Sequence, residues 1–170
     1  MEEKQEYSER VVPFCNNEIL QNKTIEEKEQ IHENNLDESM QYLEKLYKWY
    51  LKIQKIDLDA NIEEDTSMQT LEDSVGHFVE TSKWDGNIGL AAHNRGYKNN
   101  FFKRINELNY GDEIQYFYNG KQRNYKVNSI EYIENTDWSH LVRSKENKIT
   151  LITCIENNPQ YRLCVQGIEI

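Results

Sequence analysis

The chain has 170 residues, 37% of them hydrophobic, with 20 Lys and Arg against 30 Asp and Glu and a formal net charge of -10. That length suits one domain with its own core and is short for two. The acidity repels phosphate backbones and anionic lipid headgroups, which argues against nucleic acid as a partner.

The acidic excess sits at the start. Residues 1–45 hold 12 acidic and 5 basic side chains (net -7), and residues 46–170 hold 18 and 15 (net -3). Residues 1–36 are mostly Glu, Asn, Gln and Lys with few apolar anchors, the composition of a mobile acidic arm. They contain no apolar run near the ~20 residues of a membrane helix and no signal-peptide pattern, so the chain as given reads as soluble. Next, "LDESMQYLEKLYKWY" spaces Leu36, Met40, Leu43, Tyr47 and Tyr50 by fours and threes. This predicts an amphipathic helix over residues 37–48, packed outside a domain that spans residues 49–170.

From Leu51 the period drops to two. "WYLKIQKIDLDANI", "SVGHFVE", "NIGLAAHN", "DEIQYFYNG", "RNYKVNSIEYIE", "KITLITCI" and "YRLCVQGIEI" are strand candidates. Turn pairs divide them at Asp85-Gly86, Gly111-Asp112, Asn119-Gly120 and Asn157-Asn158-Pro159. Within this region only "KNNFFKRINEL" reads as helical. Seven or eight short strands with one or two short helices predict a mostly β fold, a largely antiparallel β-barrel with an N-terminal helical appendage, and exclude a βαβ arrangement.

The last hairpin brings Cys154 toward Arg162. A thiol becomes a nucleophile when a nearby cation favours the thiolate, and a guanidinium also supplies N–H donors to a developing oxyanion. A proton carrier for such chemistry is best supplied by histidine. His77 in "SVGHF" and His93 in "NIGLAAHNRGY" both lie at strand ends. The bland alternative is a small buried cysteine beside a surface arginine, and spacing alone leaves both open. Cys164 shares strand parity with Arg162 and reads as a core thiol. Cys15, Cys154 and Cys164 form no CxxC pair, and their odd number argues against a disulfide framework. Glu63-Glu64-Asp65 lacks the Asp-x-Asp-x-Asp-Gly pattern of a calcium loop and reads as a solvated turn.

"TLITC" (Thr150 to Cys154) followed by "YRLCVQG" resembles the TLxTC signature and downstream arginine of sortases, the cysteine transpeptidases of Gram-positive cell surfaces. "LKIQKIDLDANIEEDT", "LEDSVGHF" and "GNIGLAAHNRG" agree with the family in the expected order, so the resemblance covers roughly residues 50–170. It implies an eight-stranded sortase-type barrel with Cys154 as nucleophile, His93 as general acid and base, and Arg162 stabilising oxyanion or substrate. Thr153 is implied beside the substrate, and His77 falls at a recurring, non-catalytic position. The loop "ENTDWSHLVRSKEN" is expected to shape the pocket for the Leu-Pro end of the substrate.

By the same resemblance the substrates are an LPxTG-like sorting signal, cut between Thr and Gly, and an amine acceptor on a cell-wall precursor or another surface protein. The place of action is the outer face of the cell membrane, with an anchor expected upstream of this chain. No cofactor is called for, and the calcium-binding carboxylates of some members find no residue-by-residue match. Gln54 stands where the family usually has proline, and "IENNPQ" replaces the "TCTP" pattern of pilin-polymerising members. The subclass implied is D or an A-like type. Two alternatives are a cysteine peptidase that releases the thioester to water and a non-catalytic peptide-binding barrel.

Overall fold

The computed structural model describes Leu36, Ser39, Met40 and residues 48–170. The chain divides into two units, Met1–Gln41 and Tyr42–Ile170. In the first, the three described residues are helical and exposed. The acidic arm and most of the predicted helix over residues 37–48 lie outside the described residues.

The described residues of the second unit contain eight strands: β1 Tyr50–Ile53, β2 Leu58–Glu64, β3 Val75–His77, β4 Asn87–Ala91, β5 Glu113–Tyr118, β6 Lys121–Glu134, β7 Lys148–Ile155 and β8 Asn158–Glu169. They close a barrel in the order β1-β2-β3-β4-β7-β8-β6-β5. All neighbours run antiparallel except β2 with β3 and β4 with β7. Leu51, Ile53, Ile88, Leu90, Ile114, Tyr116, Tyr125, Ile149, Leu151 and Val165 fill the interior. At about 25 cal/mol per Å² of apolar surface removed from water, this cluster is the main stabilising term.

Turn chemistry follows the residue types. Asn119 and Gly120 link β5 to β6 with φ of 50° and 76°, the left-handed pair that a two-residue hairpin needs. Between β7 and β8, Ile155 already pairs with Asn158. The turn is therefore Glu156-Asn157, and the expected Asn-Pro connection instead opens β8, where the register shifts next to Cys154.

Three local expectations change. Glu63 and Glu64 belong to β2, and only Asp65, with φ of 72°, makes a turn. Helix α1, Met68–Asp73, follows; Ser67 caps it by accepting from the Thr70 N–H at 3.2 Å. In "KNNFFKRINEL" only Ile105–Glu107 is helical, as a 3-10 turn. Asn100 spends its side chain on both backbone groups of Tyr97, a local bond that competes with helix formation. Phe102, Ile105 and Leu108 still bury at a spacing of three and belong to the core cluster.

Gly76 allows β3 to pass under the Asp65 turn. A Cβ there would lie 2.5 Å from the Asp65 carbonyl oxygen and 2.8 Å from Leu71 Cδ2. Gly76→Ala is expected to destabilise the barrel by about 1–3 kcal/mol through overpacking, read as a lower urea midpoint. An unchanged midpoint would show that the Asp65 turn yields freely.

Candidate active site

The near-continuous apolar run of β7 exists because both of its faces are covered. Ile149 and Leu151 point into the barrel. Thr150, Ile152 and Cys154 alternate onto the outer face. There the segment after β6, with its 3-10 turn Ser139–Leu141, lies over the sheet. Asn87 Nδ2 donates to the carbonyls of His140 (2.8 Å) and Val142 (3.0 Å). Thr150 donates to Asn87 Oδ1 at 2.8 Å, and Gln166 donates to Thr150 at 2.9 Å. Leu141 packs with Phe78 against Ile133, Ile152 and Cys164. The cover ends beyond Ile152, so the next outward residue, Cys154, is exposed.

The site is assembled by strand direction. Because β4 and β7 are parallel, both leave the barrel at the same end. Ala91 pairs with Ile152, and the register carried two residues further sets His93 beside Cys154. The antiparallel β8 starts at that end, and Arg162 is the direct cross-strand partner of Cys154. Side chains so paired have Cβ atoms roughly 5 Å apart. Cys154, His93 and Arg162 accordingly line one groove of about 550 Å³, together with Ala92, Asn94 and Trp138.

Each group has a distinct environment. His93 is 9% exposed, and its buried Nε2 has no hydrogen-bond partner among the described residues. Burial pushes its pKa below the ordinary imidazole value, against the opposing field of Glu72. Arg162 Nη1 donates to the Pro159 and Tyr161 carbonyls, both at 2.8 Å. These use two of the five guanidinium N–H groups. Thr153 also lines this groove; its side chain is largely buried, and its hydroxyl donates to the Ala92 carbonyl at 2.8 Å, tying the end of β4 to β7. Cys164 is buried, and its thiol is pushed up to about 12 by burial, then by Glu131 and Asp137.

His77 lies elsewhere. It is fully buried, with Nδ1 2.8 Å from Glu64 Oε1 and Nε2 3.1 Å from both the Ser82 carbonyl and Thr81 Oγ1. Lys83 completes an ion pair with Glu64. Burial raises the Glu64 carboxyl, but hydrogen bonds from Lys83 and His77 outweigh it and hold the group below its usual range. Every polar atom of this imidazole is engaged in joining β2, β3 and the following loop.

Sequence reasoning missed Asn94, whose side-chain amide donates to the Cys154 carbonyl and joins the two strand ends. Its place directly after His93 in "LAAHN" was the available signal. It also missed Asn87 and Gln166, polar residues in apolar strands whose partners lie far along the chain. Among the described residues, no group of three or more His, Cys, Asp or Glu side chains is placed to hold a metal, and no helix is long and apolar enough to cross a membrane.

An exposed strand-end thiol sharing a groove with a guanidinium and with an imidazole whose buried Nε2 has no partner among the described residues suits acyl transfer through sulfur. Residues 51–169 match the sortase domain family, and the chain belongs to it. Its enzyme class is that of the cysteine transpeptidases. Among solved structures it is similar to a sortase D5 transpeptidase of Clostridium perfringens, at 28% identity and a TM-score of 0.66, covering 79% of this chain and 88% of that one. It shares its fold with sortase C1 of Streptococcus agalactiae, at 23% identity and a TM-score of 0.67, covering 72% of this chain and 66% of that one. Sortase A of Corynebacterium diphtheriae matches at 22% identity and a TM-score of 0.69, covering 77% and 67%. The chain thus spans about two thirds of the length of the S. agalactiae enzyme. Comparison with curated proteins yields no match.

Proposed function

We propose that this sortase cleaves an LPxTG-like sorting signal between Thr and Gly and joins the Thr carbonyl to an amine. The observation that carries the reading is the convergence of Cys154, His93 and Arg162 on one groove. The Cys154 thiol gives its proton to His93 as its sulfur attacks the Thr carbonyl carbon, and the carbonyl π electrons move onto oxygen. Arg162 has N–H groups to spare for that oxyanion or for the peptide backbone. Collapse of the intermediate breaks the C–N bond, and the glycine nitrogen departs with the proton that His93 gives it, leaving a thioester. The incoming amine then adds to the thioester carbonyl, His93 takes its proton, and the Cys154 thiolate leaves. Thr153 lines the substrate groove beside the nucleophile, and its bond to Ala92 holds the two strand ends together.

The groove continues past Trp138 into an apolar pocket of about 570 Å³ lined by Phe78, Leu141 and Val142. This end suits the Leu-Pro part of the signal, as expected for the loop after β6. The likeness to the C. perfringens sortase D5 favours the class D reading over the A-like one. The acceptor is an amine of a cell-wall precursor or another surface protein, and the enzyme works at the outer face of the cell membrane of a Gram-positive bacterium.

A library of LPxTG-like peptides, incubated with and without a glycine-based amine and resolved by mass, tests the reading. Cleavage after Thr with amine-dependent ligation is expected. Products ending only in free carboxylate would identify a peptidase, and no cleavage of any member would overturn the assignment.

A further inference from the structure

Among the described residues, no hydrogen bond orients the imidazole that the reaction depends on. The ring of His93 instead lies against that of Tyr97, with centroids 3.6 Å apart and an interplanar angle of 10°. Tyr97 reaches this position because its turn is tied down. Asn100 Oδ1 accepts from the Tyr97 N–H at 3.3 Å, and Asn100 Nδ2 donates to the Tyr97 carbonyl at 2.8 Å. The adjacent Asn99 donates to the Glu72 carbonyl at 2.8 Å, and Lys98 Nζ bonds Asp73 Oδ1 at 3.1 Å, both on α1. At the other end of the segment, the Phe102 N–H donates to the His93 carbonyl at 3.0 Å. A short strap from His93 to Phe102 is thereby closed over the histidine and fastened to a neighbouring helix. Tyr97 itself remains 42% exposed, which a ring selected only for core packing would not.

We propose that Tyr97 is a positioning residue for His93, its ring fixing the plane of the imidazole and shielding one face from water. This rests on the reading of His93 as the proton carrier. A flat aromatic contact restricts ring rotation where hydrogen bonds do not, and its π face tolerates the imidazolium form through a cation–π interaction. Shielding acts in the other direction by disfavouring charge. Burial as a whole holds the His93 pKa below the ordinary imidazole value, the direction in which such shielding acts. Glu72 on α1 acts on the ring through its field, and the other charged or titratable groups lining the same groove are Arg95 on the strap, Glu134 and Asp137 at and beyond the end of β6, Cys154 on β7 and Arg162 on β8. Arg95 is ion-paired with Glu156.

The test is a pH titration of the His93 ring resonances by NMR in the wild type, Tyr97→Phe and Tyr97→Ala, assigned with His93→Gln, alongside kcat/KM against pH on a cleaved peptide. Phenylalanine keeps the face and is expected to keep both the upfield ring-current shift of His93 and its midpoint. Alanine is expected to abolish the ring-current shift, to raise the proton affinity of His93 roughly three- to tenfold, and to lower kcat/KM by about tenfold, with the histidine limb of the profile moved to higher pH. Tyr97→Leu gives the same reading if alanine unfolds the strap. An unmoved midpoint and unmoved ring resonances in the alanine and leucine variants overturn the proposal. A moved midpoint with unaltered turnover upholds the contact and refutes instead the role given to His93.

Discussion

Alanine in place of Cys154 is expected to abolish turnover of an LPxTG-like peptide and formation of any thioester, a loss of roughly 10³-fold or more, while the fold survives. The structural half of this expectation rests on placement. Cys154 is exposed at the end of β7, outside the cover formed by the segment after β6, so removing its sulfur opens no cavity. Such a surface change alters stability by about 0.5 kcal/mol or less. The chemical half rests on the neighbours, since no other described thiol faces the groove; Cys164 is buried and its thiol is held neutral. Peptide cleavage followed by mass, beside a thermal melt, separates the two halves. Retained turnover in a folded Cys154→Ala protein would remove the thiol from the mechanism.

The two buried histidines are expected to part company in the same assays. His93→Ala is expected to lower turnover by about 10²–10⁴-fold, the usual contribution of a positioned acid and base, and to cost less stability than His77→Ala because its buried Nε2 has no hydrogen-bond partner to lose among the described residues. His77→Ala leaves Glu64 without one partner, leaves the Ser82 carbonyl unpaired and opens a hole in the core. It is expected to cost about 2–4 kcal/mol of stability, with turnover per folded molecule close to the parent. Denaturant melts and initial rates on both variants check this. Equal losses of turnover in two equally folded proteins would refute the division.

Legibility in the sequence tracked how local each cause was. The strands and the Asn119-Gly120 hairpin were readable because alternation and left-handed turn residues act within a few positions. Helix α1 was not, because six residues show hardly more than one turn of a period, and its only mark was the capping Ser67. The segment from Lys98 to Leu108 misled because its apolar spacing of three also fits a 3-10 turn, and the competing Asn100 side chain carries no periodic signature. Glu64 looked like a turn residue since its partner, His77, comes alongside only through the parallel pairing of β2 with β3. At the site, residue types and spacing nominated Cys154 and Arg162 but could not choose between His77 and His93, and it was the family motif that did. In three dimensions the two rings differ: both nitrogens of His77 are engaged, whereas the Nε2 of His93 has no partner among the described residues.

The parallel pairing of β4 with β7 also bears on how catalytic competence arises during folding. Ala91 and Ile152 are registered partners separated by 61 positions, and the chain between them must first lay down β5 and β6. The β5–β6 and β7–β8 hairpins are local and close early, whereas joining ends so distant carries a larger loop-closure entropy. A partly folded molecule with both hairpins formed would hold Cys154 and Arg162 side by side yet lack an acid to release the leaving amine. With the roles proposed above, enzymatic activity is expected to be a late reporter of refolding, lagging the signals of hairpin formation, and a nascent chain is expected not to cut or ligate peptides until its barrel has closed.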